Sequence, residues 1–418
     1  REVRSSKMFL RALGVERAVY ESVDWENLEQ TNATFILRVR LRQEDRRRCP
    51  HCSRRCPGYD GGNGVRRWRL PDVGLSPAYV EAETARVRCP EHGVVVRAVP
   101  WARSGSDFSY AFENMVTWLA VRTDKTTVST LLRIAWRSVG AILERVSEAA
   151  RLKLDVFAKV TRIGIDEVAY RKGHRYLTVV IDHDSGRLLW ANPGRDEATL
   201  NTFFDLLGPE RAAKIQLVSA DAASWIGNVV AARCPNATLC LDPFHVVQWA
   251  TKAVDEVRRD VWNRTRRSGD KKTANAIKGS RWALLKNPQD LDGNQRIRLA
   301  RIQEYNQPIY RAYLLKEQLR NVFQHAGIQA RNILDDWLAW ASRTKLEPFV
   351  KLARSIRRNR AAIDAVLEHR LSNARVEAAN TKLKLLTRLA FGFHSHTPLV
   401  ALAMLKLGGL CPPLPGRT

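Results

Sequence analysis

Three acids carry the chemistry open to this chain: Asp166, Asp221 and Glu377. Asp166 closes the apolar run 163–165, and Asp221 closes "KIQLVSAD" (214–221), which has the pattern of a buried strand. Glu377 stands in the first turns of a helical segment, "SNARVEAANTKLKLLTRLAFGF" (372–393), with Ser372 or Asn373 as its cap. Three carboxylates brought together repel, and at least one stays protonated unless a cation joins them. Mg2+, or Mn2+ in its place, takes a few carboxylate oxygens and keeps positions open for water and phosphate. Two such ions in one active site can activate an attacking oxygen and stabilise a leaving one in an in-line displacement at phosphorus. The residues alone leave alternatives. Glu167 follows Asp166 on the other face of the strand, so one of the pair points at a site. Asp242 also ends an apolar segment; it competes with Asp221 as second acid or holds the turn before Pro243. Glu377 could ride a solvated helix face with Asn373, Asn380 and Thr381 as polar neighbours.

A second constellation lies near the start. Cys49 and Cys52 form a C-x2-C pair, and Cys89 and His92 a C-x2-H pair. Each pair puts two ligands on one turn, and together they offer the tetrahedral sulfur and nitrogen set that structural Zn2+ prefers. His51 and Cys56 compete for the same role. The chain has seven Cys, an odd number, and four lie within residues 49–89, which favours metal over a disulfide framework.

The elements that must hold these groups follow from periodicity. "TFILRVRL" (34–41) and "AYVEAETARVRCPEHG" (78–93) alternate like half-buried strands and deliver the zinc ligands at their ends, as a zinc ribbon with an inserted hairpin does. Residues 161–166, 174–183 and 187–193 read as three antiparallel strands, and "DSG" turns between the last two. A helix capped by Asp196 follows, then strand 214–221, a helix, strand 237–247 and a long helix over roughly 243–265. Three antiparallel strands with later parallel additions give an α/β, ribonuclease H-like mixed sheet, in which the strands of Asp166 and Asp221 are neighbours. Residues 266–365 read as a basic helical insertion containing Trp282, Trp337 and Trp340, with Trp262 just before it. The tail "LGGLCPPLPGRT" holds no regular structure.

The net charge is +26, with hydrophobic residues at 45% and charged residues at 27%. That is a globular composition with a strongly basic excess, which fits a polyanion partner and foremost nucleic acid. No apolar run approaches the ~18 residues of a membrane span, and Arg11 interrupts the apolar N-terminal stretch, which makes a poor signal peptide. Between 104 and 160 the pattern turns helical. "SYAFENMVTWLAVR" (109–122) is one helix, Thr126 or Thr127 caps a short second one through Arg133, "IAW" is a turn, and 138–149 is a third with Val139, Ile142 and Val146 inward. The tight turn between two helices reads as helix-turn-helix, lacking the usual Gly, with Arg137, Ser138 and Ala141 near the base edges. The expected division is therefore 1–103 zinc-binding, 104–160 helix-turn-helix, 161–265 catalytic core, 266–365 insertion, and 366–418 the final core helix with the third acid and the tail.

"IGIDEVAYRKGHRYLTVVID", "VSADAAS", "LDPFHVV" and "SNARVEAANTKLK" resemble the catalytic blocks of DDE transposases of bacterial insertion sequences, most closely those of the ISL-three type. The resemblance runs from about Cys49 to Phe393. It implies an N-terminal zinc domain, a helix-turn-helix and an RNase H-like domain with a helical insertion, and it assigns Asp166, Asp221 and Glu377 as the metal-binding triad. It also implies double-stranded DNA partners, both element ends and target, and a bacterial, nucleoid-associated cytoplasmic protein. His245, in "DPFH", matches a family motif without an assigned role. Asn380 and Lys384 share the Glu377 face and are read as DNA contacts; Arg357 and Arg358 supply phosphate contacts. The chain departs from the family in having His92 where Cys is usual, and Ala378 and Ala379 where a Gly is common. Two functions then compete: a transposase that cuts and joins element ends, and a DNA-binding descendant acting as repressor or architectural factor. A plain nuclease or resolvase would not need two separate DNA-reading modules. Joining two ends further implies a dimer or larger assembly on DNA.

Overall fold

The alternating segment 34–41 is a strand, as its period of two predicts. The computed structural model describes residues 2–29, 33–371, 373–390, 393 and 395–417. The chain forms two units, Arg1–Asp155 with Leu389–Thr418, and Val156–Arg388. The expected final segment, 366–418, is thus divided between them.

The first unit begins with α1 (Glu2–Ala12), β1 (Ala18–Glu26), β2 (Thr34–Leu41), β3 (Gly58–Val73), β4 (Ser76–Cys89) and β5 (Gly93–Val96). The sheet order is β1-β2-β4-β3, with β5 on β4. β3 and β4 are the hairpin inserted between the two zinc-ligand pairs. Phe35, Leu37, Val39 and Leu41 of β2 pack with Trp68, Val80 and Trp101 beneath the sheet. Helices α2 (Tyr110–Ala120), α3 (Lys125–Leu132) and α4 (Trp136–Lys153) follow. The cap of α3 is Asp124, not Thr126 or Thr127: its carboxylate accepts from both of their backbone N–H groups. An acid there also meets the positive end of the helix dipole. The absent turn glycine is replaced by Arg133, held left-handed at φ 53° and ψ 48°. That conformation costs a non-glycine residue about 1 kcal/mol; the Arg133 guanidinium is anchored on Asp72 and donates to Leu75 O (2.9 Å). α4 starts at Trp136, two residues earlier than expected, and buries Val139, Ile142, Leu143 and Val146.

The second unit opens with β6 (Arg162–Arg171), β7 (Arg175–Asp182), β8 (Leu188–Pro193), α5 (Glu197–Leu207), α6 (Pro209–Ala212), β9 (Leu217–Ala220), α7 (Ser224–Arg233), β10 (Thr238–Leu241) and α8 (Pro243–Arg267). Asp196 caps α5, as expected. The sheet order is β10-β9-β6-β7-β8; β6, β7 and β8 run antiparallel, and β9 and β10 add in parallel. Strand ends differ. The segment 237–247 is a strand only over Thr238–Leu241, because Asp242 caps α8. β6 does not stop at Asp166, because its pairing with β7 continues to Arg171. Its other neighbour, β9, has its last paired residue opposite Gly164, so Asp166 sits in mid-strand where the parallel partner ends.

The helical block is α9 (Lys271–Gly279), α10 (Arg281–Leu285), α11 (Gly293–Tyr305), α12 (Gln307–Val322), α13 (Gly327–Arg343), α14 (Glu347–Arg358) and α15 (Arg360–His369). Trp337 is fully buried in its core, with Trp262 and Trp340 packed at the margin, while Trp282 is 57% exposed. Trp337 is therefore a core residue of the block, and Trp262 and Trp340 pack against that core. α16 (Ala374–Leu389) ends four residues short of the expected helix, and Ser372, one of its two expected caps, lies outside the described residues. Asn373 does not cap α16 with its side chain; its Oδ1 accepts from Ser219 Oγ at 2.6 Å. Gly164 lets α16 approach the sheet: a Cβ there would meet Val376 Cγ2 at 2.4 Å and His183 Nε2 at 2.9 Å. α17 (His396–Leu407), not foreseen in the sequence, belongs to the first unit and packs on α4, burying Leu399, Leu402 and Met404.

Candidate active site

The strand registers create a row of acids. Gly164 lies beside Ser219, and Ala220 beside Leu241. Continuing both registers puts Asp166, Asp221 and Asp242 at one level across three adjacent strands. The backbone N–H of Asp242 donates to Ala220 O at 3.1 Å, which extends the ladder to that level. Asp166 Oδ1 accepts from the Glu167 backbone at 2.7 Å, and its Oδ2 accepts from Asn380 Nδ2 at 2.6 Å. Glu167 forms an ion pair with Arg195. Asp242 caps α8, its Oδ1 accepting from Phe244 N at 3.2 Å. His245, one turn on, places Nε2 at 2.7 Å from Asp221 Oδ1 and 3.6 Å from Asp242 Oδ2. Neither oxygen gains an aligned hydrogen bond, although both atoms are buried. Glu377 is exposed in the first turn of α16, and its charge helps to raise Asp242.

Burial pushes the Asp166 carboxyl up to about 6, and the neighbouring charge of Asp221 adds to the shift. Burial likewise raises Asp242, while contact with Asp221 raises His245. Buried acids with unpaired oxygens are costly without a counter-charge. The donor set thus fits a divalent cation.

Behind the acids, His183 Nε2 meets Ser219 Oγ at 2.7 Å, and Ser219 donates onward to Asn373. Since the serine donates to Asn373, His183 donates to the serine and carries its proton on Nε2. Arg375 donates to the carbonyls of His183 and Asp184, fixing the start of α16 against the turn that follows β7. Burial lowers His183 to about 4, reinforced by Arg375 and Arg162. The unfolded chain takes up the proton first, near its ordinary value. Stability is therefore fully present above about 6.5 and falls as pH drops towards 4, by about 3 kcal/mol. Denaturant unfolding at stepped pH should show this loss in the wild type and a flatter profile over that window in His183→Gln. An equal slope in both would remove His183 as its source.

In the first unit, Cys49, Cys52, Cys89 and His92 bring their ligand atoms within 4.8 Å of one another. Sγ of Cys52 and Cys89 are 3.6 Å apart, and His92 Nδ1 lies 3.5 Å from Cys89 and 3.8 Å from Cys49. A tetrahedron with Zn–S bonds of ~2.3 Å and Zn–N bonds of ~2.1 Å has edges of about 3.6–3.8 Å, so the four fit Zn2+. The His92 contact lowers Cys89 to about 6, towards the thiolate that metal requires. Cys56 lies buried beside this group but outside it, and His51 stacks on His92.

The remaining expected residues are separated by exposure. Arg137 and Ala141 are exposed and Ser138 half-buried, on the side of α4 away from its core face. Arg357, Arg358 and Lys384 are exposed. Asn380, expected as a DNA contact, is buried and donates its amide to Asp166, so it positions that acid. Sequence reasoning missed the His183–Ser219–Asn373 chain and the meeting of His245 with Asp221 and Asp242. The i, i+3 spacing in "DPFH" was the available signal for the Asp242–His245 part.

Comparison with known proteins agrees with this architecture. Residues 163–402 match the ISL3 family model described as transposase, 45–92 the zinc-finger of transposases IS204, IS1001, IS1096 and IS1165, and 97–147 the helix-turn-helix domain of transposase family ISL3. The chain is 50% identical, over 99% of its length and 98% of the relative's, to the transposase for insertion sequence element IS1557 of Mycobacterium tuberculosis. It is 31% identical, over 64% of its length and 66% of the relative's, to the transposase for insertion sequence element IS1001 of Bordetella parapertussis. With a zinc ribbon, a helix-turn-helix and a catalytic domain that all match in order along one chain, this protein belongs to the ISL3 family of insertion-sequence transposases.

Proposed function

We propose that the protein binds the terminal inverted repeats of an insertion sequence and cuts and transfers DNA strands there, with Asp166, Asp221 and Glu377 as its metal-holding acids. The observation that carries this is the row of acids at the end of β9, where burial and the charge of Asp221 raise Asp166 to about 6. Two Mg2+ or Mn2+ ions would supply the positive charge and the activated oxygen. The chain's own contribution is placement. Asn380 fixes the Asp166 carboxylate, and Gly164 admits the helix that carries Glu377. Zn2+ held by Cys49, Cys52, Cys89 and His92 would be structural, since four protein ligands leave no position for water. The site of action is then the bacterial nucleoid, on element ends and target DNA, with the protein working as a dimer or larger assembly once DNA neutralises its charge.

The direct test is purified protein with labelled element-end DNA and Mg2+ or Mn2+. Cleaved and joined products support the reading; specific binding without cleavage supports a DNA-binding descendant acting as a repressor or architectural factor. Native mass measurement with paired end DNA should find at least two chains per pair of ends.

Binding should divide by module. Arg137→Ala, on the exposed side of α4, should relax the preference for end sequence over random DNA, because base contacts specify. Neutralising Arg357 and Arg358 should weaken all DNA alike and shallow the salt dependence by about two phosphate contacts. Gel shifts at several salt concentrations check both. Equal loss on specific and random DNA for Arg137→Ala would remove α4 as the reading helix.

A further inference from the structure

We propose that Asp221, Asp242 and His245 form a cation site of mixed oxygen and nitrogen donors, suited to Mn2+ or Zn2+ above Mg2+. Their ligand atoms all lie within 4.8 Å of one another. The site shares Asp221 with the proposed reaction centre and otherwise does not rest on that reading.

Asp242 supplies the independent pointer. The residue is 4% exposed, and it caps α8 through Oδ1 alone. Its Oδ2 is buried without a hydrogen-bond partner and faces His245 Nε2 at 3.6 Å. Asp221 Oδ1 is also buried and stands 2.7 Å from the same nitrogen, as an ion pair without hydrogen-bond alignment. Two buried carboxylate oxygens and one imidazole nitrogen therefore converge on a small volume, where the Asp242 oxygen has no hydrogen-bond donor. An ion with bonds of ~2.1 Å has neighbouring ligands about 3.0 Å apart in octahedral and about 3.4 Å apart in tetrahedral geometry. The two observed separations bracket those values.

Two parallel strands and one helix deliver the three groups. Asp221 follows the end of β9, Asp242 the end of β10, and His245 rises from the first turn of α8 that Asp242 itself caps. Donor chemistry sets the preference. Mg2+ favours oxygen and retains water, whereas imidazole nitrogen suits later first-row ions. The competing arrangement is a plain ion pair, with protonated His245 neutralising the two acids; there the nitrogen carries a proton and binds no metal.

The test uses the full chain with its ribbon filled with Zn2+, titrated with Mn2+ and examined by electron spin-echo envelope modulation. Nitrogen-14 coupling to bound Mn2+ is expected. It should vanish in His245→Ala, and Asp242→Asn should bind that ion at least tenfold more weakly, with end-DNA binding showing that both variants fold. The coupling should persist in Glu377→Gln and in Asp166→Asn. Mn2+ bound to the wild type without nitrogen coupling overturns the proposal, as does coupling that survives His245→Ala. If Glu377→Gln still cleaves DNA while the coupling is present, the proposed triad fails and this site stands. If Glu377→Gln is inactive and the coupling is absent, the site fails and the triad stands.

Discussion

Asp166→Asn, Asp221→Asn and Glu377→Gln should each abolish strand cleavage while end binding in a gel shift stays near the wild-type level. Each change keeps the side chain's shape and removes one ligand charge. Charge stabilisation by a bound metal is worth several kcal/mol in the transition state, and each 1.4 kcal/mol is about tenfold in rate, so a loss of at least ~10³-fold is expected. Binding should survive because the net charge of +26 and the helix-turn-helix lie outside this change. Asp166→Asn has a second expected signature. The neutral amide no longer pays the burial penalty that holds the carboxyl near 6, so the variant should be more stable than metal-free wild type at neutral pH. Cleavage of labelled end DNA is the measurement. Wild-type cleavage by Asp221→Asn beside an inactive Asp242→Asn would transfer the role of second acid to Asp242.

Loss of the ribbon metal should have the next largest effect. Cys49→Ser and Cys89→Ser should reduce zinc from about one per chain to none and abolish specific recognition of element ends. In zinc-finger peptides metal binding contributes on the order of 10–16 kcal/mol, as much as or more than the 5–15 kcal/mol that holds a typical domain folded. The pocket around these ligands is small, with Val87 and Val95 beside the cysteines, and offers little apolar burial to replace the metal. Cys56→Ser is the contrasting variant: Cys56 lies outside the ligand group, so zinc should be retained. Elemental analysis and gel shifts decide the matter. Normal end recognition by zinc-free Cys89→Ser would show that the ribbon does not serve binding.

Much of this was legible because it is local. The period-two segments became strands, Asp196 capped its helix, and the sequence of three strands followed by alternating helices and strands fixed the mixed sheet. What escaped depends on partners distant in the chain. The true end of β6 is set by β7, not by the change from apolar to acidic at Asp166. Asn380 shares a helix face with Glu377, as spacing predicts, but spacing cannot say that Asp166 occupies the space opposite. Gly164 looks like an unremarked glycine in a strand until Val376 of α16 lies against it. The meeting of Asp221, Asp242 and His245 needs the parallel register of β9 and β10, which no single segment encodes. The cap of α3 failed for another reason: Asp124, Thr126 and Thr127 are all good cap residues, and only the backbone geometry chooses.

The packing of α17 on α4 has a consequence for how the chain is made. The ribosome releases α4 long before residues 396–407, so α4 must wait for the apolar residues of α17. A stop codon or frameshift anywhere between the two would yield a polypeptide with its DNA-reading helices present and part of α4 uncovered. Such fragments should be prone to aggregation and proteolysis.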